Sequence, residues 1–551
     1  MTLKKTLTAL IAKKLKVNPS SIQLALPPSD DLGDIALPCF SFAKELHKSP
    51  VDIAAEYAVK LQSGVIEKSV PAGPYINIHL KHHVLFQDIL KRTLQKKNKK
   101  SIVIDYSSPN IAKPFGVGHL RSTFIGESLK RIYAELGYTT IAINHLGDWG
   151  TQFGKLIVAY KKWPRSLAKH PIRTLYDLYV KFHAECEKHP LLLDEARLWF
   201  KKLEGGDKEA TKLWKLFRLL SVKDFKQLYA RLGCSFDSYD GEAFYNTRLD
   251  SVIKLLKKKK LLQRSEGADI VDLSAFGLPP GLICKSDGTS LYLTRDIAAA
   301  LYRHETYRFS KMLYEVGAEQ ELHFKQLFAL LELMGKPWAD RCVHVSHGLY
   351  RIDGKKMSTR KGTIMFVEDL IDEIRNAVLK VIKEKNPTLK DKLQIAEKIA
   401  LCAIIFHDLK TDREHPVEFN IAQMTDFQGE TGPYILYTYT RLKSILQKAP
   451  SPKPQRTASL LTALGNEEHS VIIQLAHFRD VLEDVIAANK PDILAKYLMT
   501  LAKKTNTYYT HNRVIQGNAT IQAMRLCVIK EIAATLRKGI ELLGMPIIEV
   551  M

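Results

Sequence analysis

The sequence predicts an α/β protein in which an open parallel sheet carries helices on both faces, with a small α/β unit before it and an all-helical unit after it. Three observations predict this. Ile102, Val103 and Ile104 form a short β-branched run of the kind that makes a strand buried on both faces, and a loop bearing proline and glycine leads from it into a helical pattern at His119. The next apolar run, Thr139 to Ile143, repeats the arrangement and ends in a second glycine-rich loop, NHLGDWGTQFG. From Val367 onward the apolar period is helical, broken at Pro387 and between residues 450 and 454.

A chain of 551 residues suggests roughly three or four domains. No apolar run approaches the roughly 20 residues needed to span a bilayer. Leu3, Leu7, Leu10, Ile11 and Leu15 fall on one helix face, which makes the N-terminus an amphipathic helix and not a signal peptide. Seven cysteines, odd in number, scattered and without a C-x-x-C pair, point to a reducing cytoplasm and no structural zinc. The 82 Lys and Arg against 59 Asp and Glu give a net charge of +23. Such a balance favours a polyanionic partner, the alternative being a solvated basic surface.

In chain order, residues 1–97 read as the small α/β unit, closing on the alternation GPYINIHL before a basic linker. Tyr75 and Asn77 share one strand face and offer a ring for stacking and an amide for base edges; a half-buried edge pair is the other reading. The sheet then occupies residues 98–365. Pro109 and Pro114 keep the backbone out of helix until Gly116 and Gly118, where backbone amides and a helix N-terminus suit a phosphate, though a purely structural turn fits a bare Gly-x-Gly as well. The helix from His119 stops at Gly137. Residues from about 155 to 250 are a charged helical insertion. The sheet pattern returns with ICKSDGTSLYLTRDIAAALYR, read as a turn at SDGT, a strand at 291–293 and a helix capped by Thr294. Tyr292 and Asp296 then bracket a strand end and reach the crevice where open parallel sheets collect ligands, unless Asp296 is only a dipole-favoured surface acid. The run 312–316 is a further strand, followed by a helix with Gln320 near its start. A strand pair is expected across VHVSHGLY and RIDGKKMSTRKGTIMF, whose loop holds Lys355, Lys356, Arg360 and Lys361, four cations suited to a triphosphate or to plain solvent exposure. Residues 366–425 form a helical connection and 426–551 an all-α unit.

These motifs resemble those of the class I aminoacyl-tRNA synthetases and, within them, the arginyl-tRNA synthetases. Gly116-Val117-Gly118-His119 stands in the place of the HIGH signature and Lys356-Met357-Ser358-Thr359-Arg360 in that of KMSKS. SSPNIAKPF, LGDWGTQFG, YLTRDIAAA and TGPYILYTYTRLKSI are similar to motifs of the arginyl subfamily, and the likeness covers nearly the whole chain.

The resemblance implies a Rossmann-type catalytic domain, a tRNA-contacting N-terminal domain and a helical anticodon-binding domain, in a cytoplasmic monomer that works with ATP carried as its Mg²⁺ complex. It implies activation of L-arginine to arginyl-adenylate and transfer to the terminal adenosine of tRNA(Arg). His119 and Lys356 would be catalytic, and Gly116, Gly118, His119, Lys356 and Ser358 would meet ATP. A guanidinium has only donors, so its pocket needs acceptors: Asp296 first, with Tyr292 packing beside it, Gln320, and Asp105 as a second carboxylate. Ser108, Asn110 and His119 would hold the amino acid's backbone groups. Tyr75 and Asn77 map onto a reader of a D-loop base, and Tyr434, Tyr437 and Arg441 onto the anticodon-side helix, although Tyr434 and Tyr437, at i and i+3, could equally be core. Two departures stand out. Gly116 replaces the first histidine of HIGH, and Thr359 replaces the second lysine of KMSKS, a charge that Lys113, Arg360 or Lys361 would supply. A tRNA-binding paralogue with weak or no catalysis is the alternative reading, and Gly116 is its only argument.

Overall fold

At the centre of the fold four strands, all parallel, lie in the order Cys342–His347, Lys311–Gly317, Ser101–Asp105, Thr139–Ile143. The computed structural model describes residues 2–62, 64–90, 97–285, 292–352, 355–356, 365–449, 465–515 and 518–551, the side chains of Asp30, Ile352, Lys355, Lys356, Asn466 and Glu467 excepted. The turn expected at SDGT, the break at 450–454, and Ser358, Thr359, Arg360 and Lys361 lie outside the described residues.

The continuous apolar run of the first strand serves two faces. Ile102 and Ile104 join one core together with Leu120, Phe124, Leu129 and Ile132 of helix Leu120–Glu135. Val103 joins a second core with Ile297 of helix Tyr292–Tyr307 and Leu327 of helix Glu321–Leu333. Each such side chain, once buried, contributes about 1.5–3 kcal/mol relative to exposure. Strand Ser101–Asp105 has its first successor, Thr139–Ile143, on one side and Lys311–Gly317 on the other. The order therefore reverses between Ser101–Asp105 and Lys311–Gly317, and a crevice opens at their carboxyl ends. Helix Leu120–Glu135 ends as expected, with Gly137 in the left-handed region at φ +87°.

The stretch expected as an insertion is helical, with helices Gln152–Lys162, Pro171–Lys188, Leu191–Glu204 and Lys208–Leu232. One expectation is corrected. Tyr292 and Leu293 open a helix and do not form a strand, and the Thr294 hydroxyl donates to the Ile283 carbonyl at 2.6 Å, with no capping role. The β-prone residues before this helix instead build a separate antiparallel meander, Leu262–Ser265, Ala268–Val271 and Gly281–Cys284. The expected strand pair after Cys342 is also divided: Cys342–His347 lies in the main sheet, while Tyr350–Ile352 pairs with Lys355–Lys356 and with Val417–Glu418.

The N-terminal unit packs helix Leu3–Leu15 beside an antiparallel sheet whose middle strand is Tyr75–Leu80. It rests on helix Asn466–Ala488: the Lys4 amide donates to both Asp480 carboxylate oxygens at 3.2 Å, and Asp34 meets His469 Nε2 at 2.7 Å. Among the described residues no helix is long and apolar enough to cross a membrane, and all seven cysteines are free thiols.

Candidate active site

The loop after Asp105 is shaped against its own backbone preferences. Ser107, Ser108 and Ala112 have φ of +72°, +46° and +57°, a left-handed region that costs a residue with a side chain on the order of 1–3 kcal/mol. A buried polar network holds it there. The Ser107 amide donates to Ser122 Oγ at 2.8 Å, and Ser122 Oγ donates to the Glu315 carbonyl at 3.0 Å. The hydroxyls of Ser107 and Tyr229 meet at 2.7 Å, and the Ala112 amide donates to Ser221 Oγ at 2.8 Å. Gly126 lets the signature helix close on this loop, because a Cβ there would fall 2.2 Å from the Tyr106 ring. Gly147 does the same for Asn110: a Cβ would fall 2.0 Å from its side-chain oxygen, and the two backbones bridge like adjacent strands.

His119 sits at the start of helix Leu120–Glu135 with its ring tilted against Phe115. Its Nδ1 lies 3.2 Å from the Gly116 carbonyl, an acceptor, so Nδ1 carries the proton and Nε2 is left for a ligand. Burial holds its pKa below the usual imidazole range, the bond to Gly116 opposes this, and the charge of Lys113 adds to the lowering. Lys113 also lies over the Tyr179 ring at 5.1 Å. Gly118 is exposed, and among the described residues nothing lies where a side chain would be. Gly116 pairs with Phe366: the Val117 amide donates to the Met365 carbonyl at 3.3 Å and the Val367 amide to the Phe115 carbonyl at 3.2 Å. The backbone of Lys356 pairs with Arg351, while its side chain and Ser358 lie outside the described residues.

Across the crevice, Asp296, the fifth residue of helix Tyr292–Tyr307 and so past the first turn where it was expected, lies between two imidazoles, His323 at 2.6 Å and His145 at 3.9 Å. Burial alone would raise its pKa; the hydrogen bond to His323 outweighs this and holds the carboxyl below its ordinary value. Glu242, outside every motif, faces the same place. Its Oε2 is sealed from solvent without a hydrogen-bond partner among the described residues, and its pKa is pushed up to about 8 by burial and by Asp296 and Asp148, against the pull of Arg295. Its charge is felt in turn by Tyr292, which is largely exposed at the head of the helix.

Asp105 is corrected as a free acceptor. It is buried and paired with the chain's own Arg303 at 2.8 Å, and it accepts from Ser108 Oγ at 3.0 Å. A strand-end carboxylate with an internal guanidinium on it has its charge neutralised already. Gln320 lies at the carboxyl end of strand Lys311–Gly317 but is exposed, with no side-chain hydrogen bond among the described residues.

On the N-terminal sheet Tyr75 is 40% exposed and meets Phe40 edge-on at 5.8 Å, whereas Asn77 on the same face is only 8% exposed. In helix Gly432–Lys448 the Tyr434 hydroxyl accepts from Asn506 at 2.7 Å, which makes Tyr434 a packing residue of the helical unit. Tyr437 is exposed, and the Arg441 guanidinium lies 4.1 Å over the Tyr509 ring.

Family models cover almost the whole chain: "Arginyl tRNA synthetase N terminal domain" over residues 1–80, "tRNA synthetases class I (R), catalytic domain" over 81–421, and "DALR anticodon binding domain" over 435–551. The arginine–tRNA ligase of Exiguobacterium sibiricum is 46% identical over 528 residues, covering 94% of this chain and 93% of that protein. That of Enterococcus faecalis is 44% identical over 553 residues, covering 98% of each. The chain belongs to the class I arginyl-tRNA synthetases. Its fold superimposes on that of the Thermus thermophilus arginyl-tRNA synthetase with a TM-score of 0.89 over the full length of both, at 25% identity. The paralogue reading gains no support from these likenesses.

Sequence reasoning on this arginyl-tRNA synthetase did not single out Glu242, His145 and His323, which the structure gathers around Asp296. His145 lies inside the quoted NHLGDWGTQFG loop, at the carboxyl end of strand Thr139–Ile143, and that position was a usable signal. Glu242 has no such marker; only its burial beside Asp296 reveals it.

Proposed function

We propose that the crevice activates L-arginine with ATP, giving arginyl-adenylate and pyrophosphate, and transfers the arginyl group to the 3′-terminal adenosine of tRNA(Arg), in the cytoplasm and as a monomer. The observation that carries the arginine side is the acid pair Asp296 and Glu242 at one end of the crevice. A guanidinium presents five donors and no acceptor, and two carboxylates answer it with charge and with lone pairs in forked geometry. Asp296 keeps lone-pair capacity beyond His323, and Tyr292 covers the side chain. Gln320 is a further acceptor, and Ser108 and Asn110 hold the amino acid's own charged groups.

The chemistry at the α-phosphate needs positioning and charge neutralisation more than covalent help. His119 meets the nucleotide through Nε2, and the approach of a phosphate raises a pKa that burial keeps low. The Gly118 amide region, Lys113 and Lys356 share the remaining charge, with Lys356 on the departing pyrophosphate. Mg²⁺ enters as part of the nucleotide substrate. The unit 1–97 meets the tRNA through Tyr75 and Asn77. Residues 366–425 lie along the stem, and 426–551 meet the anticodon arm through Tyr437 and Arg441.

Arginine-dependent exchange of pyrophosphate into ATP tests the reading. Exchange is expected when tRNA(Arg) is present; its absence both with and without tRNA would favour the paralogue. A second result follows from Glu242, whose burial keeps it protonated below about pH 8. Arginine binding requires the ionised form and so releases a proton. The KM for arginine therefore falls by up to about tenfold per unit as pH rises from 6 towards 8, and then levels. His323 also titrates with a raised pKa because of Asp296, so the comparison with Glu242→Gln isolates the carboxyl: that variant loses the slope. A wild-type KM that stays flat with pH removes Glu242 from the pocket.

A further inference from the structure

The nucleotide side of the crevice does not support itself. The backbone that carries Gly116 and Val117 is hydrogen-bonded to residues 365–367, so the carbonyl that sets the His119 tautomer is only as well placed as Phe366. Phe366 in turn occupies the N-cap of helix Val367–Lys385, where its side chain makes no capping hydrogen bond. Two residues of the insertion helix Pro171–Lys188 grip it. The Arg173 guanidinium lies 4.1 Å over its ring, and the Tyr176 ring meets it edge-on at 6.3 Å and 86°. Arg173 also donates to Asp369 Oδ1 at 2.5 Å, in the first turn of the same helix Val367–Lys385. Arg173, Tyr176 and Tyr179 follow at three-residue spacing and so form one stripe of the insertion helix. Tyr179 at the far end of that stripe carries Lys113 over its ring. One helix outside the sheet thus touches both supports of the phosphate side.

We propose that Arg173 is a positioning residue for ATP: by stacking on Phe366 and pairing with Asp369 it fixes the bridged segments 115–117 and 365–367, and through them Gly116 and His119. The inference rests on the reading of the crevice as an arginine-activating site. A guanidinium suits the task because its plane lies flat on a ring while its edge donates to a carboxylate; an ammonium does only the second.

Steady-state pyrophosphate exchange on full-length protein with tRNA(Arg) present tests this. Arg173→Ala is expected to lower kcat/KM for ATP about tenfold while the KM for arginine stays within twofold of wild type. Arg173→Lys keeps the pair with Asp369 and loses the stacking, so it falls between. In a Phe366→Leu background, Arg173→Ala adds little further loss, because its target is gone. Unchanged ATP kinetics in Arg173→Ala, a parallel rise of both KM values, or full additivity with Phe366→Leu would each overturn the positioning role. A wild-type protein without exchange would instead overturn the reading it rests on.

Discussion

Asp296→Asn is expected to lower arginine-dependent pyrophosphate exchange at least about a hundredfold, while binding of tRNA(Arg), read by filter retention, stays at the wild-type level. The amide replaces an acceptor by a donor at the point where the substrate has only donors, and removing one partner of a desolvated charged pair costs about 2–5 kcal/mol, where 1.36 kcal/mol is tenfold in rate. It also strips His323 of the carboxylate it holds at 2.6 Å. The tRNA surfaces proposed above, at the exposed Tyr75 and Tyr437, are elsewhere, which is why the two readouts are expected to separate. Normal arginine kinetics in this variant would remove Asp296 from the pocket.

The second large effect is on stability. Arg303 and Asp105 form a buried ion pair at the carboxyl end of the central strand, their side chains 2% and 7% exposed. Arg303→Met leaves the buried Asp105 carboxylate without its counter-charge, with Ser108 Oγ still donating to it, and is expected to destabilise the fold by about 3–5 kcal/mol. Adding Asp105→Leu removes the orphaned charge and restores most of that loss. A urea midpoint unchanged in the single variant, or a double variant no better than the single, would show that the pair does not bear the load assigned to it.

Much of the site was legible because motifs and strand ends coincide. The β-branched run, the glycine loop and the helix stop at Gly137 each follow from local preferences, and the structure places them where periodicity does. Legibility fails where the decisive partner is distant. Asp105 reads as an open acceptor until Arg303, from a helix much later in the chain, is seen on it. Tyr292 and Leu293 carry strand-like side chains yet begin a helix, because the second core takes Leu293 and Ile297 together. Asn77 shares the face of Tyr75, as alternation requires, but it lies in the middle strand, paired with Ala36 on one side and Val70 on the other, so shared direction did not give shared exposure. Glu242 was invisible for the plainest reason: one acid at the head of the short 3-10 helix Glu242–Arg248 has no period, and its meaning comes from burial.

One core runs from Leu7 and Ile11 at the N-terminus through Phe124 and Ile132 of the signature helix to Leu498 and Ile540 in the last helices. The three family models divide the chain at residues 80 and 435, but the packing draws no line there. The units are therefore not modules in the engineer's sense. Exchanging the N-terminal unit for that of a relative would have to bring a matching face of helix Asn466–Ala488 with it, and drift at either end of the molecule is constrained by side chains that share one core with helix Leu120–Glu135. Such a chain is bound to diverge as a whole.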